Sequence, residues 1–275
     1  MAFHWNAIFY FAFLFKLALM PRMKIKEKKR TYILAFGIVS AISVMLIGAI
    51  DQLGYVFSGP YIVKGGVLVI EQARPNSTVF IDNKNLTTTD QDGVAIIKGI
   101  AIGSHDVLVS HEDAWPWTLP FTSYRDTTTT LIPIQVARES QGTTLSAENT
   151  PEELQYAQSS FTAYTEPSSS NPMERDNTSV WVEGTDVYVR TIDEKTRVVL
   201  ASLHPIRNIF WYPERTDAIV IASNNNVFAL DIRQGDIQNF HPIYYGHSPE
   251  AVQNEQDTKS IFVGDNGKYF AVAIW

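Results

Sequence analysis

The sequence predicts a mainly β protein behind an N-terminal transmembrane helix: a small β-sandwich, then a second antiparallel β-domain. Three observations predict it. Residues 32–50, YILAFGIVSAISVMLIGAI, run for nineteen positions without a charge. From Gly66 the apolar residues switch to a period of two, broken by Gly, Pro, Asn and Asp turns. Near the C-terminus, VWVEGTDVYVRTIDEKTRVVLAS and AIVIASNNNVFALDIRQGDIQNF repeat one strand–turn–strand pattern.

Residues 1–22 open with MAFHWNAIFYFAFLFKLALM, apolar and aromatic. Three readings fit them: a second membrane helix, an interfacial segment, or a mis-called start ahead of Met23. Residues 23–31 form a basic flank. Arg22, Lys24, Lys26, Lys28, Lys29 and Arg30 stand together, opposed only by Glu27. The positive-inside rule holds this cluster in the cytoplasm and sends the C-terminal side outward. A cleaved signal peptide fits less well, because the basic residues follow the first apolar run instead of leading it.

Residues 32–50 are then the transmembrane helix, and the cytoplasmic membrane is the partner they imply. At ~1.5 Å per residue they cover roughly 28 Å, close to the ~30 Å hydrocarbon core. Ten of them are Ile, Leu, Val or Phe, which favours insertion by roughly 3 to 6 kcal/mol. The competing reading is a buried core helix. Gly37 and Ala41 offer a small-xxx-small pair for helix packing.

Charge divides in the same way. Residues 1–30 carry seven Lys/Arg and one acid; subtracting these from 22 and 29 leaves 15 basic and 28 acidic residues in 31–275, a net of −13. So acidic a domain argues against nucleic-acid binding. The chain has no cysteine, which excludes disulfides, thiol catalysis and Cys-based metal sites and fits a bacterial surface protein.

Residues 51–65 read as a tether. Residues 66–137 read as the β-sandwich, with strands at Val67–Ile70, Thr78–Asp82, Val94–Ile97, Ser104–Ser110 and Thr127–Val136. The turns fall at Pro75–Ser77, Asn83–Asn85 and Asp90–Gly93. Residues 138–178 are rich in Ser, Thr, Gln and Pro and read as a linker. Within it, Thr150-Pro151-Glu152-Glu153 predicts a capped helix over 151–161. Residues 179–275 carry the repeated strands.

The stretch from Gly66 to Val136 resembles the PEGA-domain family. The resemblance rests on the glycine-led strand Gly66-Val67-Leu68-Val69-Ile70, Pro75 ahead of Val79-Phe80-Ile81-Asp82, and Gly99 to Gly103 leading into His105-Asp106-Val107-Leu108-Val109. Arg74-Pro75-Asn76-Ser77-Thr78 stands where the signature tetrapeptide would be. The resemblance implies a compact immunoglobulin-like module of a surface protein, without catalytic activity. Residues 179–275 are similar to β-propeller blades, which implies a propeller-like domain. A closed propeller needs at least four blades of ~40 residues, more than these residues supply.

Motifs for chemistry are absent. Gly246-His247-Ser248-Pro249-Glu250 fails the nucleophile-elbow pattern at its last position. There is no H-E-x-x-H, P-loop or Rossmann glycine pattern. His105 and His111, near Glu112 and Asp113, read as polar strand-end residues before they read as metal ligands. Asp90-x-Asp92-Gly93 reads as a turn before a calcium loop, because the distal ligands are missing. No catalytic, cofactor or metal residue is assigned.

The candidate partner-binding aromatics are Trp115, Trp117, Phe121 and Tyr124, placed in a loop where exposed rings can take a sugar or a protein partner. Core packing beneath that loop is the competing reading. The expected function is a membrane-anchored, extracytoplasmic interaction protein binding envelope protein or polysaccharide. The alternative is an extracytoplasmic enzyme or sensor subunit with a cleft between the two β-domains.

Overall fold

The computed structural model of the chain describes residues 27–58, 61–138, 140, 142–193, 195–233 and 238–275. The readings of residues 1–22 and of the flank at 23–26 lie outside the described residues. The chain is mainly β, in several sheets, preceded by one long helix.

Helix α1 (Glu27–Gln52) has 26 residues. Its side chains are described from Leu34 to Ala49. There the apolar residues are exposed all round: Phe36 is 76% and Met45 70% exposed, with Ile38, Val39 and Ile42 exposed between them. The Ser43 hydroxyl donates to the Val39 carbonyl one turn back (2.9 Å), so it adds no unpaired polar group. Among the described residues no helix is long and apolar enough to cross a membrane. The positions 34–49 account for about 24 Å of the ~30 Å required. The transmembrane helix expected at 32–50 is therefore present as a helix, not as a demonstrated span.

After α1 comes a hairpin where the sequence suggests a plain tether. β1 (Tyr55–Ser58) pairs antiparallel with β2 (Tyr61–Lys64), and the Gly65 amide bonds to the Gly54 carbonyl at 2.8 Å.

The first β unit follows: β3 (Gly66–Ile70), β4 (Thr78–Ile81), β5 (Lys84–Thr88), β6 (Ala95–Ile100), β7 (Gly103–Ser110), β8 (Trp117–Ser123) and β9 (Thr128–Leu131). One sheet has the order β6-β3-β9, with β3 and β9 parallel; the other is the antiparallel β5-β4-β7-β8. In β3, β4, β7 and β8 alternate residues are buried, and Leu68, Ile70, Val79, Ile81, Val107 and Val109 meet in one core. The first hairpin turns at Asp82-Asn83, one residue earlier than the sequence suggests. Both residues have positive φ (49° and 63°), which lets Ile81 pair with Lys84.

Trp117 lies in β8, not in a loop. Pro116 and Pro120 disguise this strand. Pro120 is tolerated because β8 is at the sheet edge, where a missing N–H costs no ladder bond.

The Ser/Thr-rich stretch contains β10 (Gly142–Leu145) and helix α2 (Pro151–Ala163). Pro151 occupies the first turn with Glu152 and Glu153, which complement the helix dipole. Thr150, however, makes no side-chain cap. Its hydroxyl instead accepts from the Ser146 amide at 3.0 Å, tying down the loop before the helix.

Three four-stranded antiparallel sheets complete the chain. The first runs in order through β11 (Met173–Arg175), β12 (Thr178–Glu183), β13 (Asp186–Arg190) and β14 (Thr196–Ala201). The second runs through β15 (Ile206–Trp211), β16 (Ala218–Ser223), β17 (Asn226–Asp231) and β18 (Phe240–Tyr245). The third, β19 (Glu250–Gln253), β20 (Ser260–Asp265) and β21 (Lys268–Ala273), takes β10 as its outer strand.

Tight turns at Asp176-Asn177 and Asn266-Gly267, each with positive φ at both residues, set the register of two of these hairpins. Val180, Val187 and Val189 of the first sheet pack on Ile219, Ile221 and Leu230 of the second. The opposite face of the second sheet, with Val220, Ala222 and Ala229, joins Ile261, Val263 and Val272 of the third. The far face of the third sheet packs on α2 through Phe262 and Ala157. Among the described residues no closed propeller forms. Three sheets stacked face to face do not complete a ring that needs four.

Candidate functional site

The residues singled out in the sequence scatter. Trp117 is fully buried and Phe121 nearly so; only Tyr124, 61% exposed, faces solvent. Trp115 is partly buried against the same core, with the Arg138 guanidinium 5.9 Å from its ring centroid. An exposed platform of these four aromatics is therefore not formed, because β8 turns alternate side chains into the core.

Trp117 ties the first unit to the repeat sheets. Its indole N–H donates to Asp231 Oδ2 at 3.0 Å, and Arg233 lies over its ring at 4.9 Å. Asp231 in turn holds Arg233 through both oxygens (2.9 and 2.5 Å). Burial pushes the Asp231 carboxyl up, but the bonded Arg233 and Trp117 outweigh it and hold it below the usual range. Beside this pair, buried Asn239 accepts from the Thr118 amide (3.1 Å) and donates to the Thr118 carbonyl (2.7 Å), closing a strand edge across the junction.

His105 and His111 do not converge. His105 Nδ1 meets Asp82 Oδ2 at 2.7 Å and Nε2 meets the Ala101 carbonyl at 2.8 Å. Burial lowers its pKa, but these two acceptors and the nearby acids raise it further, for a net upward shift. His111 instead accepts from the Asp113 amide. Among the described residues no three His, Cys, Asp or Glu side chains are placed to hold a metal ion. Asp90 Oδ1 accepts from the amides of Asp92 and Val94 (3.0 and 2.8 Å), so it organises a turn.

A concavity not legible in the sequence lies at the junction. It is a cleft of about 450 Å³, within the ~300–1,000 Å³ usual for small-ligand sites. Six segments of the chain form it. Ala73 and Pro75 come from the β3–β4 loop and Asp92 from the β5–β6 turn. Pro133 follows β9, and Pro213 lies in the β15–β16 turn. Thr258, Lys259 and Trp275 complete the rim.

Its floor is held by committed polar groups. Arg215 bonds Asp217 through two nitrogens (2.7 and 2.9 Å) and reaches the Ile132 carbonyl at 2.8 Å. Buried Gln135 accepts from the Arg74 amide at 2.6 Å and donates to Ser77 Oγ at 3.1 Å. The Tyr212 hydroxyl donates to the Ile274 carbonyl at 3.2 Å, and burial raises its pKa well above the usual range. Arg74 lies over the Trp275 ring at 5.7 Å, its own pKa lowered by burial.

Sequence reasoning missed this cleft because its lining is drawn from segments up to two hundred residues apart, none with a motif of its own. One local signal existed: Pro75, Pro133 and Pro213 each mark a loop. No protein-family model and no curated protein matches this chain.

Proposed function

We propose that the chain is a membrane-anchored interaction protein of the cell envelope, with its β units on the extracytoplasmic side. In this reading residues 32–50 span the cytoplasmic membrane, residues 66–137 are a PEGA-like, immunoglobulin-like module, and residues 179–275 are a propeller-like module. One observation carries it: apolar side chains are exposed on every face of α1. A helix that is apolar all round is stable only inside a protein or inside lipid. Among the described residues, the element packed most closely on α1 is strand β1, next to it in the chain. The basic cluster ahead of it orients the span, and the acidic remainder suits the exterior.

The test uses the absence of native cysteine. Ala147→Cys places a single thiol on the exposed turn before α2. A membrane-impermeant maleimide should label it in intact cells or spheroplasts, and the chain should leave the membrane fraction with detergent but not with alkaline carbonate. Labelling only after lysis, or release by carbonate, overturns the reading.

A further inference from the structure

We propose that the cleft between the first β unit and the repeat sheets is a binding site for a neutral saccharide, such as a disaccharide unit of an envelope polymer. The inference takes from the preceding reading only that the chain is a binding protein, and it does not depend on the membrane anchor.

Three observations carry it. The first is the wall. Pro75, Pro213 and the half-exposed Trp275 present flat apolar faces to the cleft. Rings of this kind match the C–H faces of a pyranose, as they match other amphipathic rings.

The second is the rim. Gln72, Gln91, Asp92, Glu214, Thr258 and Lys259 are all exposed around the cleft. They offer amide, carboxylate, hydroxyl and ammonium groups, which together donate to and accept from hydroxyls in either sense. Their formal charge is two negatives and one positive. The remaining cation of the lining, Arg215, is already neutralised by Asp217. A site with this mixture has no strong field for a phosphate or a polycation, and it suits an uncharged ligand with many hydroxyls.

The third is backbone strain. Ten described non-glycine residues have positive φ, and eight of them are Asn or Asp, which tolerate that region. The two that are not are Gln72 (54°) and Glu214 (58°), and both line this cleft, from different β units. Such conformations are strained for a residue with a long side chain, and they gather at ligand sites. Here they put two long polar side chains, one from each β unit, on the lining of one cleft. Arg215, Gln135 and Tyr212, bonded behind them, supply the rigid support that a preformed site requires.

The test is a saturation-transfer NMR titration of the full chain, in a phosphocholine detergent free of sugar, with cellobiose and N,N′-diacetylchitobiose. A tri-proline peptide serves as the competing ligand for a proline- and tryptophan-lined cleft. At least one disaccharide should saturate with a Kd at or below about 10 mM. Trp275→Ala and Gln91→Ala should each weaken it by about tenfold or more. Gln91 is on an exposed turn, so its variant should keep the parent's unfolding temperature. Three results overturn the proposal: neither disaccharide saturates; binding survives both substitutions; or only the tri-proline peptide saturates, which would make the cleft a peptide site. None of these bears on the maleimide result, so the two readings fail separately.

Discussion

Strand β6 of the first unit and strand β16 of the repeat sheets are both six residues long and rich in isoleucine, yet they are built differently. In β6, AIIKGI, burial alternates: Ala95, Ile97 and Ile100 face the core while Ile96 and Lys98 face out. In β16, AIVIAS, every residue is buried. The first strand belongs to a sheet with one covered face; the second lies in a sheet packed on both faces, against the first and third sheets. A strand's sequence thus reports how many of its faces are covered. The alanines at 218, 222 and 229 mark where that second packing surface comes close.

Four measurements would break or sharpen this contrast. The largest effect is expected at the seam between the units. Asp231→Ala removes the carboxylate that holds Arg233 and accepts from Trp117, and it leaves partly buried donors unpaired. It should cost about 3–5 kcal/mol in denaturant unfolding; a loss under ~1 kcal/mol would mean the seam contributes little.

Next come the two strands themselves. Ile221→Ala in the doubly covered sheet should cost about 2–5 kcal/mol, whereas Ile96→Ala, at a 59%-exposed position, should stay within about 0.5 kcal/mol. Equal losses would refute the one-face, two-face distinction.

The third is a pH effect in the doubly covered sheet. His241 is 2% exposed, and its Nε2 has no partner among the described residues. Burial lowers its pKa to about 4, against an opposing pull from Asp231. An unfolded histidine takes up its proton near pH ~6.5, so between there and about 4 the unfolded chain binds more protons. Stability present above pH ~6.5 should therefore fall by roughly 3 kcal/mol as the pH drops to about 4. His241→Gln should remove that slope from unfolding curves taken across this range; an unchanged slope would show that other groups cause it.

The smallest effect separates two glycines with the same φ of +74°. At Gly267 an added Cβ meets open space, but at Gly93 it runs into the Ala73 carbonyl. Gly267→Ala should cost about 1 kcal/mol from left-handed strain alone. Gly93→Ala should cost clearly more by the same measurement, and equal costs would show that the Ala73 loop yields freely.

Much of the β content was legible in the sequence. Val67–Ile70, Thr78–Ile81 and the two repeated stretches carry strand patterns, and Asn266-Gly267 announces its hairpin. The strand at Trp117 was not legible, because Pro116 and Pro120 read as loop residues until the position of β8 at an edge is known. The role of Gly142–Leu145 was hidden for a different reason. A Gly-Thr-Thr-Leu run becomes a strand only because β21, over a hundred residues later, leaves an edge for it to pair with.

The sequence by itself determined what depends on neighbours along the chain: the uncharged helix at 32–50, the period-two strands, the tight Asn and Gly turns, and the absence of disulfides. Only the tertiary structure decided what depends on distant partners: the burial of Trp117 against Asp231, the open stack of three sheets in place of a ring, and the cleft shared by Gln72, Glu214 and Trp275. The physical reason is that local sequence sets backbone propensity and which side of a strand is apolar. Which surface covers that side, and what space is left where two covered surfaces meet, is set by packing between segments that the linear order keeps apart.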